Sequence, residues 1–328
     1  MALGEFERID RFFVPLARGA DGAFGLTDDA ALLPAASQGS AWVVTVDALV
    51  AGVHFLPDDA ADLIARKALR VNLSDLAAMG AVPYGYTLAL ALPRDLPDPE
   101  GWLSRFADGL RHDQDEFGVH LLGGDSVSTP GPVTLSVTAF GSVPRGREIR
   151  RSGAKVGDDL WVSGTIGDSA LGLKVLTGAI GPDEGGDSFL IDRYRLPQPR
   201  TRLGPRLVEL ATAALDVSDG LVQDSGHLAH RSGVAVRIEA SAVPLSAAGR
   251  RRVDSRPALL HDALTGGDDY ELLFTAPSIA RESVMEAAAA VGAMVGRIGS
   301  VEAGQGVRVV DPDGQVLGGL NRGGWSHF

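Results

Sequence analysis

Segments with strand-like and helix-like patterning alternate along the chain, and the alternation begins again after a basic stretch at residues 145–155. At 133–139, apolar and hydroxyl side chains alternate, which predicts a strand with one buried face and one polar face. At 59–79, leucines at helical spacing predict a long helix instead. A chain of 328 residues has room for two domains of ordinary size. We therefore predict an α/β (α+β) fold with two mixed αβ domains, which comprise residues 1–150 and 151–328.

Acidic residues follow several of the predicted strands. The run Ala41–Val46 predicts a buried strand that delivers Asp47 at its C-terminal end. A short strand at 119–122 leads into a Gly-Gly-Asp sequence, and a helix around 206–213 precedes the second group of acidic residues. The sequence therefore predicts carboxylates next to secondary-structure ends in both halves of the chain.

The absence of cysteine and the net charge of −12 exclude or disfavour several functional classes. Without cysteine, the chain has no disulfide, no Cys-ligated zinc or iron–sulfur site, and no cysteine nucleophile. The acidic balance argues against a nucleic-acid-binding surface. No apolar run reaches the length of about 18 residues that a membrane span needs. The N-terminus carries Glu5, Glu7 and Asp10 rather than the basic start of a signal peptide, so we expect a cytoplasmic protein.

Aspartate dominates the acidic residues, with 30 Asp against 12 Glu. It recurs in short motifs, several of them Gly-rich: NLSD, GGD, DVSDG and GGDD. Gly lets a backbone come close to a bulky anion, and carboxylates hold Mg²⁺ beside phosphate oxygens. Asp and Gly are also typical of turns and helix N-caps, so the pattern alone leaves both interpretations open. The sequence contains no Walker loop, no Rossmann glycine fingerprint and no HExxH zinc motif.

The order of longer motifs is more specific. They include DDAALL at 28–33, VDALVAGVHF at 46–55, KALRVNLSDLAAMGA at 67–81, LLGGDS at 121–126, LDVSDGL at 215–221, GGDDYEL at 266–272 and WSHF at 325–328. Together they span essentially the whole chain. With these motifs the chain resembles the thiamine-monophosphate kinase family, which shares a superfamily with aminoimidazole-ribotide synthetase and selenophosphate synthetase.

The resemblance implies a fold of the aminoimidazole-ribotide synthetase-like type and a kinase that transfers the γ-phosphate of ATP directly to thiamine monophosphate. The products are thiamine diphosphate and ADP, and the reaction is the last step of thiamine diphosphate biosynthesis. Several Mg²⁺ ions assist the in-line transfer, so we nominate no acid or base. The resemblance also implies a homodimer formed through the N-terminal domains. The N-terminal domain would carry the metal and ATP site, and the C-terminal domain would complete the nucleotide and substrate site.

The resemblance also assigns individual residues. The metal-site residues are Asp29, Thr45, Asp47, Asp75, Asp125, Asp216 and Asp219. The ATP-binding residues are Gly124, Asp125, Arg151 and Ser218. The residues at substrate-contacting positions are His54, Asp268 and Trp325. Arg151 supplies fixed positive charge to the triphosphate, because a guanidinium stays protonated.

Three positions depart from the family pattern. Thr27 replaces the usual Gly before the Asp-Asp pair, which leaves the metal ligand in place. Val46 replaces the usual hydroxyl residue before Asp47, so one metal contact must come from backbone or water, or be absent. Asp268 replaces the usual Glu and is one methylene shorter, which bears on its substrate contact.

Two other functions remain as alternatives. One is an ATP-dependent synthetase or cyclo-ligase of the same superfamily, which activates a carbonyl; the selenophosphate and hydrogenase-maturation branches are disfavoured because they rely on Cys or selenocysteine. The other is an acidic regulatory protein that binds Mg²⁺ and nucleotide. At single positions, His54 could tie down a loop, Trp325 could pack a tail, and Asp268 could serve a turn. Ser218 or Asp219 could cap the following helix.

Overall fold

The structure is a computed structural model, and it describes residues 5–26, 31, 33–183 and 185–320, apart from the side chains of residues 5, 6 and 25. The chain divides into two compact units. Unit 1 contains the described residues up to Leu76 and Ala81–Arg145, and unit 2 contains Ala77–Gly80 and the described residues from Gly146 onward. Each unit combines a β-sheet with helices, so the predicted fold class is confirmed. In the described part of the chain, no helix has the length and apolar character needed to cross a bilayer.

Unit 1 is built on a four-stranded sheet. Its strands are β1 (Ser40–Val50), β2 (Val82–Pro93), β3 (His120–Thr129) and β4 (Thr134–Pro144). Their order is β1–β4–β2–β3; β2 and β3 are parallel, and the other neighbours are antiparallel. The α-helices that begin in this unit are α1 (Glu5–Arg8), α2 (Ala61–Ala78) and α3 (Pro99–Phe117). Between α1 and β1 lie a π-helical segment (Ile9–Phe13) and two 3₁₀ segments (Val14–Ala17 and Asp21–Leu26).

The local sequence sets where helix α3 begins and ends. The Asp98 side chain accepts a hydrogen bond from the Gly101 amide at 3.1 Å, which caps the first turn. Gly118 then takes a left-handed conformation with φ 67° and closes the last turn. Arg70 of α2 binds the buried carboxylate of Asp113 on α3, with its Nε 2.6 Å from Oδ2. This ion pair ties α2 to α3.

The two faces of the unit 1 sheet differ in burial. One face, here called the covered face, carries the buried side chains of Leu88 and Val137. The opposite face, here called the open face, carries Val44 and Val46, which are 58% and 61% exposed. The prediction of a buried strand ending before Asp47 is therefore wrong, because Asp47 lies inside an edge strand with one uncovered face. β-Branched residues favour a strand but do not tell which face is covered.

Unit 2 is built on a six-stranded sheet. Its strands are β5 (Asp158–Ser163), β6 (Ala213–Asp216), β7 (Ala235–Glu239), β8 (Leu272–Pro277), β9 (Val295–Glu302) and β10 (Gly306–Val310). Their order is β10–β7–β9–β5–β8–β6, and only β10 and β7 are parallel neighbours. The helices are α4 (Asp168–Leu176), α5 (Asp187–Arg195), α6 (Gly204–Leu207), α7 (Leu221–Ser232), α8 (Ala247–Ser255), α9 (Leu259–Thr265) and α10 (Arg281–Ala289). Two 3₁₀ turns lie at Ala240–Ala242 and Ser278–Ala280.

Two sequence predictions fail at element boundaries. The helix expected around 206–213 is the four-residue α6, and Ala213 already belongs to β6, where it pairs with Thr275. The strand expected at 119–122 continues as β3 to Thr129. In both cases pairing with a neighbouring strand, which the local sequence does not encode, decides the outcome.

Candidate active site

Three predicted metal-site residues lie together in unit 1. Thr45 and Asp47 are two residues apart in β1, so their side chains point to the same side of the sheet. Asp75 lies in the last part of α2. The Thr45 hydroxyl donates a hydrogen bond of 2.5 Å to Oδ2 of Asp75. β1 and α2 thus bring two carboxylates and a hydroxyl into one cluster.

Asn72 holds this cluster, although the sequence analysis did not single it out. It precedes Asp75 by three residues and therefore lies on the same side of α2. Its Oδ1 accepts a hydrogen bond from the Asp47 amide at 3.1 Å, and its Nδ2 donates to the carbonyl of Ala68 at 2.9 Å. The i, i+3 spacing within NLSD was the available signal.

The electrostatics of the cluster suit a cation. Burial raises the pKa of Asp47 from its ordinary 3.8 to about 6, and the negative charge of Asp75 raises it further in the same direction. Two carboxylates that repel each other and a hydroxyl form an all-oxygen donor set. This set fits a hard divalent cation such as Mg²⁺, whose charge would relieve both effects.

Asp125 lies apart from this cluster in the same sheet. In the strand pairing, Asp47 aligns with Val137, Leu88 and Gly124 on the covered face. Asp125 follows Gly124 and therefore points to the open face, three strands away from β1. At a strand spacing of about 4.8 Å, that separation is roughly 14 Å. The predicted metal ligands of unit 1 thus form two groups.

A pocket of about 500 Å³ opens beside Gly124 and Asp125. Its described lining is apolar on the side of the N-terminal segment and at the start of β3, and polar farther along β3 at Asp125 and Ser126. The lining residues are Ile9, Phe13, Ala23, Leu26, Ala31, Thr87, Leu88, Leu121, Leu122, Gly123, Gly124, Asp125 and Ser126. Gly124 also has a packing role, because a Cβ there would lie 2.1 Å from the carbonyl oxygen of Leu88. Strand packing alone therefore requires glycine at this position.

His54 follows β1 in a tight turn. Its Nδ1 accepts a hydrogen bond from the Val50 amide at 3.0 Å. The neutral ring therefore carries its proton on Nε2. The interpretation of His54 as a residue that ties down a loop is consistent with this bond, and the bond also fixes the ring for a contact through Nε2.

In unit 2, backbone hydrogen bonds join the segments that carry the DVSDG and GGDDYEL motifs. The Val217 amide donates to the carbonyl of Glu271, and the Tyr270 amide donates back to Val217, both at 2.8 Å. The Asp268 amide donates to the carbonyl of Ser218 at 2.9 Å. Asp216 is the buried last residue of β6. The predicted residues Asp216, Ser218, Asp219 and Asp268 therefore belong to one pair of adjoining loops.

The other acids of the GGDDYEL motif hold this loop in place. Asp269 is buried and accepts hydrogen bonds from the amides of Gly167 and Ser169, at 2.7 and 3.3 Å, at the start of α4. Glu271 accepts from Arg200 Nε at 2.6 Å and from the Ser163 hydroxyl at 2.5 Å. Just before them in the chain, Asp268 has φ 70°, a left-handed conformation that Asp adopts more readily than most residues.

Asp219 is surrounded by side chains from α7. Gln223 Nε2 donates to Oδ2 of Asp219 at 3.1 Å, and the Asp219 amide donates to Oδ2 of Asp224 at 3.0 Å. Burial raises the pKa of Asp224 to about 7; the charge of Asp219 also raises it, and the charge of Arg151 lowers it. A nitrogen of His227 lies within 4.8 Å of both carboxylates. Arg151 is thus close enough to act on this group electrostatically.

A second cluster of possible ligands in the described residues, His112, Asp113 and Glu116, has a different explanation. Arg70 binds both acids at 2.6 Å, and Arg66 binds Asp113 at 2.9 Å. Cations of the protein already neutralise these carboxylates, so the cluster joins helices. The predicted residues Asp29 and Trp325 lie outside the described residues.

Comparison with known proteins identifies the family. A model of the AIR synthase related protein N-terminal domain matches residues 27–143, and one of the C-terminal domain matches residues 155–312. Thiamine-monophosphate kinase of Caulobacter vibrioides is 44% identical over 328 residues, covering 98% of this chain and 90% of that protein. The crystal structure of thiamine-monophosphate kinase from Stenotrophomonas maltophilia is 44% identical, with TM-score 0.84, and covers 97% of this chain and 99% of that one. The structure of AaThiL complexed with AMPPCP and TMP is 33% identical, with TM-score 0.77, and the match covers 100% of this chain and 99% of that one. These similarities over the full length show that the chain is an enzyme of the thiamine-monophosphate kinase family, within the AIR synthase related proteins.

Proposed function

We propose that the protein transfers the γ-phosphoryl group of ATP directly to the phosphate of thiamine monophosphate, giving thiamine diphosphate and ADP. The observation that carries the proposal is the pair of carboxylates, Asp47 and Asp75, held together by Thr45 and Asn72 in a chain of this family. The structure of a relative with AMPPCP and TMP supports the same pair of substrates. The reaction would complete thiamine diphosphate biosynthesis.

Three groups of acids would hold Mg²⁺. In unit 1, Thr45, Asp47 and Asp75 form one group and Asp125 belongs to a second, with Asp29 as a further proposed ligand. In unit 2 the ligands are Asp216 and Asp219. When bound, Mg²⁺ supplies the positive charge that neutralises the phosphate oxygens of both substrates. Asn72 orients Asp47 through its backbone and so limits the movement of the ligand.

Nucleotide binding is proposed for Gly124, Asp125, Ser218 and Arg151. The pocket beside β3 supports this role in unit 1, since an apolar wall next to a polar strand suits a flat base joined to phosphates. In unit 2, Arg151 is exposed, and a guanidinium group suits contact with the oxygens of a triphosphate.

Substrate binding is proposed for His54, Asp268 and Trp325. The Nδ1 bond of His54 leaves Nε2–H as the donor, and a donor suits a phosphate oxygen. Asp268 would accept from a donor of the thiamine moiety, and the ring of Trp325 would stack on it. No residue is required as a general base, because the acceptor phosphate is already ionised near neutral pH.

The test is to incubate the pure protein with Mg-ATP and thiamine monophosphate and to separate the products by chromatography. Equal amounts of ADP and thiamine diphosphate are expected. ADP with inorganic phosphate and no thiamine diphosphate would favour a superfamily synthetase that acts on another substrate. Binding of ATP without any ADP would favour the regulatory protein.

We also propose a homodimer in the cytoplasm, where ATP is available. The open face supports the dimer: Val44, Val46 and Val127 are each more than half exposed on the same side of one sheet. Val44→Lys should give a monomer in sedimentation analysis, and Val156→Lys, an exposed valine of unit 2, is the control. A dimer that persists in the Val44 variant would exclude this face.

A further inference from the structure

The first turn of α7 fixes the orientation of Asp219 through two neighbouring side chains. Asp224 is only 2% exposed, and its carboxylate accepts the backbone amide of Asp219 at 3.0 Å. It also accepts the backbone amide of Gly220, the residue that precedes the helix. A carboxylate in the first turn thus satisfies two amides at the helix start, and it fixes the backbone on which Asp219 is carried.

The same backbone is held from the opposite side. The carbonyl of Ser218 accepts the amide of Asp268, and Gly220 has φ 111° where a Cβ would lie 2.5 Å from the carbonyl oxygen of Thr265. The backbone at Gly220 therefore lies too close to α9 to move toward it, and its positive φ is a conformation that residues other than glycine rarely adopt. The main-chain position of Asp219 is therefore determined by its surroundings.

Gln223 then restricts the side chain of Asp219. Its Nε2 donates to Oδ2 of Asp219 at 3.1 Å, across a spacing of four residues. A hydrogen bond to one carboxylate oxygen sets the rotation of the carboxylate and favours cation binding through the other oxygen. Asp224 does not offer an oxygen to a cation in this way, because its carboxylate is buried and accepts hydrogen bonds from backbone amides.

We propose that Gln223 and Asp224 are positioning residues for Asp219: Asp224 fixes its backbone, and Gln223 directs its carboxylate toward a divalent cation. This inference rests on the proposed function in one respect, namely that Asp219 is a metal ligand. Neither residue touches the reacting atoms; both act through Asp219. The length and amide of Gln223 and the acceptor oxygen of Asp224 are therefore the features that matter.

The experiment measures Mn²⁺ binding to the full-length protein by electron paramagnetic resonance, with the unfolding midpoint recorded for each variant. Mn²⁺ is suitable because carboxylates bind it as they bind Mg²⁺. Gln223→Met removes the donor at similar size, and Gln315→Met makes the same change at an exposed glutamine of unit 2 as the control. Asp224→Asn keeps an acceptor oxygen, Asp224→Leu removes it, and Asp219→Asn removes the ligand itself.

Gln223→Met should weaken Mn²⁺ binding at one site about tenfold and leave the unfolding midpoint unchanged. A tenfold loss is the low end of what removal of a hydrogen-bond partner of a metal ligand costs in affinity. The Mn²⁺ affinity of Asp224→Asn should stay within about threefold of the wild type, since the amide oxygen still accepts hydrogen bonds. The Mn²⁺ affinity of Asp224→Leu should fall by more than that, because leucine has no acceptor. If Gln223→Met behaved like Gln315→Met, or if Asp224→Asn lost binding as Asp219→Asn does, the positioning role would be wrong. If Asp219→Asn bound as many ions as the wild type with unchanged affinity, the metal role in the proposed function would fail instead.

Discussion

Replacing Asp47 by Asn should stabilise the metal-free protein while abolishing most of its activity. The pKa of Asp47 is raised from 3.8 to about 6, chiefly by burial and then by Asp75. Since one pKa unit is about 1.4 kcal/mol, ionised Asp47 costs the folded metal-free state up to about 3 kcal/mol. The folded state binds this proton more tightly than the unfolded chain, so stability falls as pH rises from 3.8 to about 6. Asn removes that cost because it carries no charge.

Thermal unfolding in EDTA measures the effect. At pH 7.5, Asp47→Asn should raise the midpoint of unit 1 by roughly 5–10 °C, the shift that about 3 kcal/mol gives in a domain of this size. At pH 4.5 the gain should shrink to about 1 kcal/mol, because the folded wild type is then protonated. Added Mg²⁺ should stabilise the wild type more than the variant. Asp58→Asn, at an exposed carboxylate, is the control. A variant less stable than wild type in EDTA at pH 7.5 would refute the reasoning.

Three further substitutions test other parts of the account. Asp268→Glu should cost about 1 kcal/mol in denaturant unfolding, since Glu tolerates the left-handed conformation at φ 70° less well; an unchanged midpoint would contradict this. Arg70→Met should cost about 3 kcal/mol or more in the same assay because it deprives the buried carboxylate of Asp113 of its main partner; a loss below about 1 kcal/mol would show that the pair matters little. Gly124→Ala should lower the unfolding midpoint because its Cβ would meet backbone, whereas Gly123→Ala should not. Equal midpoints for the two variants, with only ATP binding altered, would assign Gly124 to the ligand alone.

Much of the fold could be predicted from local patterning. The helix predicted at 59–79 is confirmed as α2, because leucines at helical spacing form a long apolar stripe. Strand burial could not be predicted in this way. Val44 and Val46 have the composition of a core strand, yet they are exposed, since no described segment of the chain covers these two side chains. Which face is covered depends on distant segments.

The grouping of two candidate ligands could be predicted from the sequence, but the residues that support them could not. Asp47 and Asp75 lie in recognisable motifs, and the structure brings them together. The residues that hold the ligands, such as Asn72 and Gln223, are ordinary polar helix residues, and only their partners reveal their role. The separation of Asp125 from Asp47 could not be predicted from the sequence either. It follows from the register of three successive strand pairings, which places the two side chains on opposite faces of the sheet.

The central claim, direct transfer of phosphate that depends on the unit 1 carboxylates, can be tested in one measurement. Wild-type protein and Asp47→Asn are each incubated with Mg-ATP labelled in the γ-phosphate and with thiamine monophosphate, and the label in thiamine diphosphate is counted. Label should accumulate in thiamine diphosphate in equal amount to ADP for the wild type and should fall at least about a hundredfold for the variant. Near-normal transfer by Asp47→Asn, or label found only in inorganic phosphate with the wild type, would contradict the account.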